Sequence, residues 1–232
     1  MASTNEGGNV FPASTLQRED NYHQSFLIKP DPALEHAVKH SRENGLPDIA
    51  LSILQGKFVH ILAKALGAKR ILEVGTLGGY SAIWLSRALP ADGELVTLEV
   101  DAKHAKIARE NLDYAGADVS SRVKIIVGAA ADTLPTLTTD PAPFDIAFID
   151  ADKSAIVTYF TEAKRLLRSG GVIIIDNMVY QGKVSDLSVT DSTRVNTREL
   201  LQVLKDDEEV EATTIGTAGV KGFDGFLFAR KK

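Results

Sequence analysis

From Arg70 onward the chain alternates short, almost unbroken apolar runs with amphipathic stretches, and this alternation restricts the fold more than any other feature. The runs are "RILEV", "ELVTLEV", "RVKIIVG", "FDIAFID" and "GVIIID". Apolar residues without polar alternation predict strands covered on both faces, the pattern of a parallel sheet between helical layers. Helices are predicted at about 79–89, 102–115, 130–137 and 153–168, between the runs. The expectation is a doubly wound α/β sheet with right-handed crossovers. After a further helix near 192–205, "EATTIGTA" and "FDGFLFARK" are separated only by "GVKG". No helix fits in that link, so the last two strands should form an antiparallel hairpin at or near a sheet edge.

The residues before the sheet divide in two. Residues 1–25 are polar and rich in Ser, Asn and Gly, and they read as a mobile arm that buries too little surface to order itself. Residues 26–232 read as one domain, with helices over 26–67 and the α/β sheet over 70–232. In "DPALEHAVKHSRENG", Asp31 is the expected N-cap, Pro32 the first helical residue and Gly45 the stop. "ALSILQGKFVHILAKALG" carries a second helix ended by Gly67. A net charge of -5 argues against a nucleic-acid partner, which would require a basic face. Zero cysteines exclude disulfides, thiolate metal sites and a cysteine nucleophile. With no signal-like apolar run at the start and no long apolar span, the reading is a cytoplasmic protein with no membrane partner.

"ILEVGTLGGYSAIWL" is a strand entering a glycine turn and a helix. A dinucleotide fingerprint starting at Gly75 would require glycine where Leu77 and Tyr80 stand, and the phosphate-loop Gly-Lys-Ser/Thr is also missing. Glu73, two residues before Gly75, would repel phosphate and attract a cation. S-adenosylmethionine, with its ammonium and sulfonium charges, suits such a turn. A carboxylate at the end of the second strand can accept both ribose hydroxyls, and Glu99 stands there.

Ligands of open α/β sheets gather outside the carboxyl ends of the strands. The fourth strand ends in "FIDADK" and the fifth in "IIIDNM". If these strands are neighbours, Asp150, Asp176 and Asn177 converge as the oxygen ligands that Mg²⁺ prefers. The same spacing also suits Asp150 and Asp152 as helix caps, with Asp176 and Asn177 in a turn.

Taken together, "LEVGTLGGYS", "FIDADK", "DNMVYQGKV" and "GVKGFDGF" resemble the motifs of the cation-dependent O-methyltransferases, the group that includes the caffeoyl-CoA and, more distantly, the catechol enzymes. The resemblance spans about Ile49 to the C-terminus. It implies a mostly parallel seven-stranded sheet with an antiparallel C-terminal strand. It implies Glu73, Gly75, Thr76, Ser81, Glu99, Ala130, Asp150 and Asp152 as contacts to S-adenosylmethionine. Asp150, Asp176 and Asn177 become ligands of Mg²⁺, or of another divalent cation such as Ca²⁺ or Mn²⁺. Lys153 takes the place of the lysine regarded as the base in the catechol enzyme, so Lys153 and Asp150 are the expected catalytic pair. A nearby dication would lower the lysine pKa. Tyr180 stands where relatives usually carry tryptophan, and with Gln181 it is expected at the substrate. Relatives commonly read Asn-Tyr where this chain has Ala155 and Ile156, so its substrate wall differs.

The expected activity is metal-dependent methylation of a hydroxyl on a catechol-type or phenylpropanoid small molecule, by a homodimer with an interface on the N-terminal helices. A catalytically silent S-adenosylmethionine-binding protein is the main alternative, and the Asp150, Asp176, Asn177 and Lys153 set opposes it. An NAD-dependent oxidoreductase is opposed by Leu77 and Tyr80. The five histidines all precede the metal motifs and read as surface or packing residues. Trp84 suits either the core or an adenine-side contact.

Overall fold

The computed structural model describes residues 12–232. Three helices, α1 (Ala13–Leu27), α2 (Pro32–Glu43) and α3 (Ile53–Ala65), precede β1 (Arg70–Val74). Then follow α4 (Tyr80–Ser86), β2 (Glu94–Glu99), α5 (Ala102–Tyr114), α6 (Ala117–Ser120), β3 (Val123–Val127), α7 (Ala130–Thr133) and β4 (Phe144–Ile149). The chain closes with α8 (Ile156–Leu166), β5 (Leu167–Ile175), α9 (Ser192–Lys205), β6 (Val210–Gly219) and β7 (Gly222–Lys231).

Local chemistry explains the helix starts. Asp31 Oδ1 accepts the N–H groups of Ala33 at 3.1 Å and Leu34 at 3.2 Å, and Pro32 supplies a preset φ, so α2 begins where expected. Ser52 and Gln55 form a reciprocal capping box at α3. The stretch read as a mobile arm is corrected in part: its residues from Ala13 belong to helix α1, which runs through the expected boundary to Leu27, while residues 1–11 lie outside the described residues. Mean polarity missed two ties, one local and one long-range. Tyr22 and Phe26, one turn apart, stack edge-on at 5.0 Å, and Asp20 Oδ2 accepts the Val220 N–H of the β6–β7 turn at 2.8 Å. The helix buries none of its own residues.

The strands form one sheet in the order β3-β2-β1-β4-β5-β7-β6. Pairing is parallel from β3 through β5, and β7 enters antiparallel between β5 and β6. Because successive side chains alternate in direction, Ile71, Leu95 and Phe148 pack under α2–α5, while Leu72, Leu98 and Ile149 pack under α8 and α9. Two apolar cores thus cover the two faces. The edges depart from the expectation of full burial: Val127 of β3 is exposed, and most of β6 faces solvent. Among the described residues no helix is long and apolar enough to cross a membrane.

The helix expected over 153–168 is shorter at both ends. Leu167 and Arg168 join β5, and residues 150–155 form an irregular turn at the top of β4. There Asp152 Oδ2 accepts the Ser154 N–H at 2.9 Å, stabilising the turn.

Candidate active site

The chain reverses its direction of travel across the sheet between β1 and β4, and a crevice opens above that point. Each parallel ladder continues one bond beyond its strand. Gly128 donates to the Glu99 carbonyl (2.9 Å), Gly75 to Leu98 (2.9 Å), Asp150 to Val74 (2.8 Å) and Asp176 to Ile149 (3.0 Å). The strand ends therefore finish level, and the residues after them line one cavity of about 1270 Å³. Gly75, Thr76, Ser81, Glu99, Ala130, Asp150, Asp152, Asp176, Asn177 and Tyr180 all line it. Glu73, Lys153 and Gln181 do not.

Gly75 has a second job besides leaving room for a ligand. Its φ is +97°, and a Cβ there would lie 2.2 Å from the Asp150 carbonyl oxygen. Only glycine lets the β1 turn pass this close to the end of β4. The turn is then held from β2: Glu99 Oε2 accepts the N–H groups of Thr76 at 3.2 Å and Leu77 at 2.7 Å, and Oε1 accepts that of Asp101 at 3.0 Å. Glu99 is thus a turn anchor that still faces the cavity. His104, read from sequence as a surface or packing residue, lines the cavity with Nδ1 3.6 Å from Glu99 Oε1.

Glu73 lies beneath the turn, fully buried and outside the cavity lining. Thr97 Oγ1 donates to Glu73 Oε2 at 2.6 Å and is itself 2.6 Å from Thr76 Oγ1, while Oε1 has no hydrogen-bond partner. Burial pushes this carboxyl up to about 7, against the help of Ser81 and Thr97. Trp84 is buried among core residues, which decides for packing over an adenine contact.

At the other end, parallel pairing of β4 with β5 brings Asp150 and Asp176 together. Burial raises Asp150, and burial followed by the charge of Asp150 pushes Asp176 up to about 7. Lys153, only 2% exposed, lies under the cavity floor with Nζ donating to the Ala151 carbonyl at 3.0 Å. Burial lowers its pKa, and the charges of Asp150 and Asp176 oppose that shift. Tyr180 forms part of the wall, its ring covered by the Arg194 guanidinium at 4.3 Å, and burial with the nearby Asp224 pushes its hydroxyl up to about 12. Gln181 is exposed and left-handed at φ 58°, and it lies outside the cavity lining where a substrate contact was expected.

The motif "GVKGFDGF" also brings Asp224 and Lys221 to the cavity lining, two residues to which sequence reasoning gives no role. An acid inside the apolar run "FDGFLF" was the available signal.

A family model described as O-methyltransferase matches residues 25–232. The chain belongs to the O-methyltransferase family. It is 47% identical over 210 residues to the catechol O-methyltransferase of Mycobacterium tuberculosis, covering 90% of this chain and 93% of that protein. With the catechol O-methyltransferase of Niastella koreensis it shares 44% over 211 residues, 90% of this chain and 95% of that one. The crystal structure of the O-methyltransferase TomG from Streptomyces achromogenes, in complex with S-adenosylmethionine, superposes with a TM-score of 0.91 at 44% identity, over 96% of this chain and 99% of that one.

As an O-methyltransferase, the chain is an enzyme, and its donor set can be tested against a metal. No group of three His, Cys, Asp or Glu suited to a metal occurs among the described residues. The candidate set is instead two carboxylates and one carboxamide. Two buried acids whose charged forms are both disfavoured mark a place where positive charge is missing, and hard oxygen donors suit a dication of the Mg²⁺ kind. The residues present fit such an ion.

Proposed function

We propose that the chain is an S-adenosylmethionine-dependent, divalent-metal-dependent O-methyltransferase that methylates one hydroxyl of a catechol-type or phenylpropanoid small molecule. One observation carries the reading: a single cavity joins a glycine turn braced by Glu99 to the charge-deficient pair Asp150 and Asp176. The two ends divide the work of holding a cationic methyl donor and of stabilising a phenolate.

Asp150, Asp176 and Asn177 would hold the cation, which when bound supplies positive charge that favours a phenolate over a phenol. The turn at Gly75 and Thr76, with Ser81, Glu99, Ala130 and Asp152, would hold the methyl donor, and Asp152 is itself fixed by the Tyr159 hydroxyl at 3.1 Å. Glu73 contributes from beneath, through the turn. Tyr180 would stack against the acceptor ring. Lys153, whose charged form burial disfavours, would take the acceptor's hydroxyl proton, its Nζ leaving the Ala151 carbonyl to do so. The oxygen then forms its bond to the methyl carbon as the carbon–sulfur bond breaks, with that electron pair going to sulfur and leaving S-adenosylhomocysteine. In-line alignment requires both ends of the cavity to be loaded together.

Exposed Tyr22, Phe26 and Leu27 on α1 and Ile61 on α3 support a homodimer formed through the N-terminal helices. The functional test is a methyl-transfer assay over catechols and caffeoyl esters, with Mg²⁺ or with EDTA. Turnover restricted to Mg²⁺ is expected; undiminished turnover in EDTA would overturn the metal assignment.

A further inference from the structure

Asn177 is a weak point in any oxygen-ligand set. A carboxamide offers one oxygen and one amino group, and a flip exchanges an acceptor for two donors. The backbone adds strain, since Asn177 is left-handed at φ 56° and Tyr180 and Gln181 follow at φ 49° and 58°. Something must hold this segment.

Asp224, on the reversed strand β7, does so through both oxygens. Its Oδ1 accepts three backbone N–H groups, from Val179 at 3.0 Å, Tyr180 at 2.9 Å and Gly225 at 2.8 Å. Its Oδ2 accepts the Asn177 Nδ2–H at 3.2 Å. The Met178 N–H adds a bond to the Gly225 carbonyl at 2.8 Å. An ionised carboxylate only accepts, so the carboxamide group facing it must be the amino group. The Asn177 oxygen is left for the cavity wall that it shares with Asp150 and Asp176.

We propose that Asp224 is a positioning residue of this enzyme: it locks the Asn177 carboxamide with its oxygen, rather than its amino group, presented beside Asp150 and Asp176. The inference rests on the proposed metal reading of those three residues. It assigns the β7 hairpin a chemical role, because the strand that runs against the parallel ones supplies the acceptor that fixes a ligand just past the end of the fifth.

Substitution of Asp224 by Asn separates orientation from support. The new side chain keeps one oxygen for the three backbone N–H groups, but it sets an amino group against the Asn177 amino group. Relief requires the Asn177 carboxamide to flip and turn its amino group toward the two acids. Mn²⁺ binding, followed by loss of the free-ion paramagnetic resonance signal, should weaken about 10- to 100-fold in D224N. S-adenosylhomocysteine binding without metal should be unchanged. The double variant N177D/D224N should regain most of the lost affinity, because the carboxylate introduced after β5 accepts from the amino group introduced on β7 and keeps an oxygen for the ion. K221M/D224N restores the same net charge without restoring that acceptor, and it should stay weak.

Wild-type-like Mn²⁺ affinity in D224N would overturn the inference, as would rescue by K221M equal to rescue by N177D. If Mn²⁺ binding in the wild type is indifferent to D150A, the metal reading itself fails and the inference with it. Should D224N lack a native circular dichroism spectrum, the wild-type chain decides through the Asn177 carboxamide resonances. Protection of that amino group from exchange before and after Mg²⁺ addition supports the lock; an unprotected group refutes it.

Discussion

The two ends of the cavity use the same functional group, a carboxylate, for different purposes. At the β1–β2 end, Glu99 accepts three backbone N–H groups and braces the turn while still facing the cavity. At the β4–β5 end, Asp150 and Asp176 are held close with too little positive charge, so the charged form of each is disfavoured. The donors on Glu99 let it shape the turn while it still faces the cavity, whereas the shortage of positive charge at Asp150 and Asp176 leaves that pair open to a cation. Most of the difference comes from position, because Glu99 sits under a turn full of free N–H groups while the acids follow strands whose ladder bonds are already made.

The contrast is tested most severely at Asp150. With Asp150→Asn, methyl transfer at saturating Mg²⁺ should fall roughly a thousandfold, the scale of the several kcal/mol that a charge-stabilising ion contributes, with little change in thermal stability. A variant that loses stability and keeps turnover would make Asp150 a brace like Glu99. Lys153→Ala comes next. Steady-state kinetics should show turnover down about 100-fold or more while affinity for S-adenosylmethionine, measured by calorimetry, holds; near-normal turnover would remove Lys153 as the base.

Glu99→Ala should show the reverse profile. Three N–H groups lose their acceptor, so thermal unfolding should register a loss of about 2–4 kcal/mol, and cofactor affinity should fall with the turn. The smallest effect is expected at Glu73, which shares the β1 end with Glu99 but has one oxygen unpaired. Its carboxyl rises from 4.5 in the reference state to about 7 in the fold, so the native state binds the proton more tightly. Stability linked to this group is present at pH 4.5 and below and is lost as pH climbs through about 7. Glu73→Gln should remove that dependence, making the variant about 1–3 kcal/mol more stable than the parent at pH 8 and not at pH 5, read by denaturant melts. Parallel pH curves for parent and variant would show that Glu73 is ionised in the fold.

How much of this was legible beforehand depended on range. The five parallel strands and the closing hairpin were readable because apolar runs and turn residues are local signals. Asp150, Asp176, Asn177 and Glu99 were readable because strand ends in such a sheet must share one edge. Glu73 and Lys153 were readable as an acid and a base near the cleft, but their depth was invisible: both are buried beneath the surface they serve. Helix α1 escaped for the opposite reason, as its tie to the hairpin joins Asp20 to Val220 across the length of the chain.

Apolar periodicity, capping residues and the order of acids along the chain determined by themselves an α/β sheet with an acidic edge. The tertiary structure alone decided which acid is satisfied and which is left wanting charge, because that depends on donors brought from distant segments. Thr76 and Leu77 reach Glu99 from the turn after β1, and Asp224 reaches Asn177 from a strand that runs against the parallel ones. Sequence spacing carries the side chains to the edge; the folding of other strands against them decides what each can still bind.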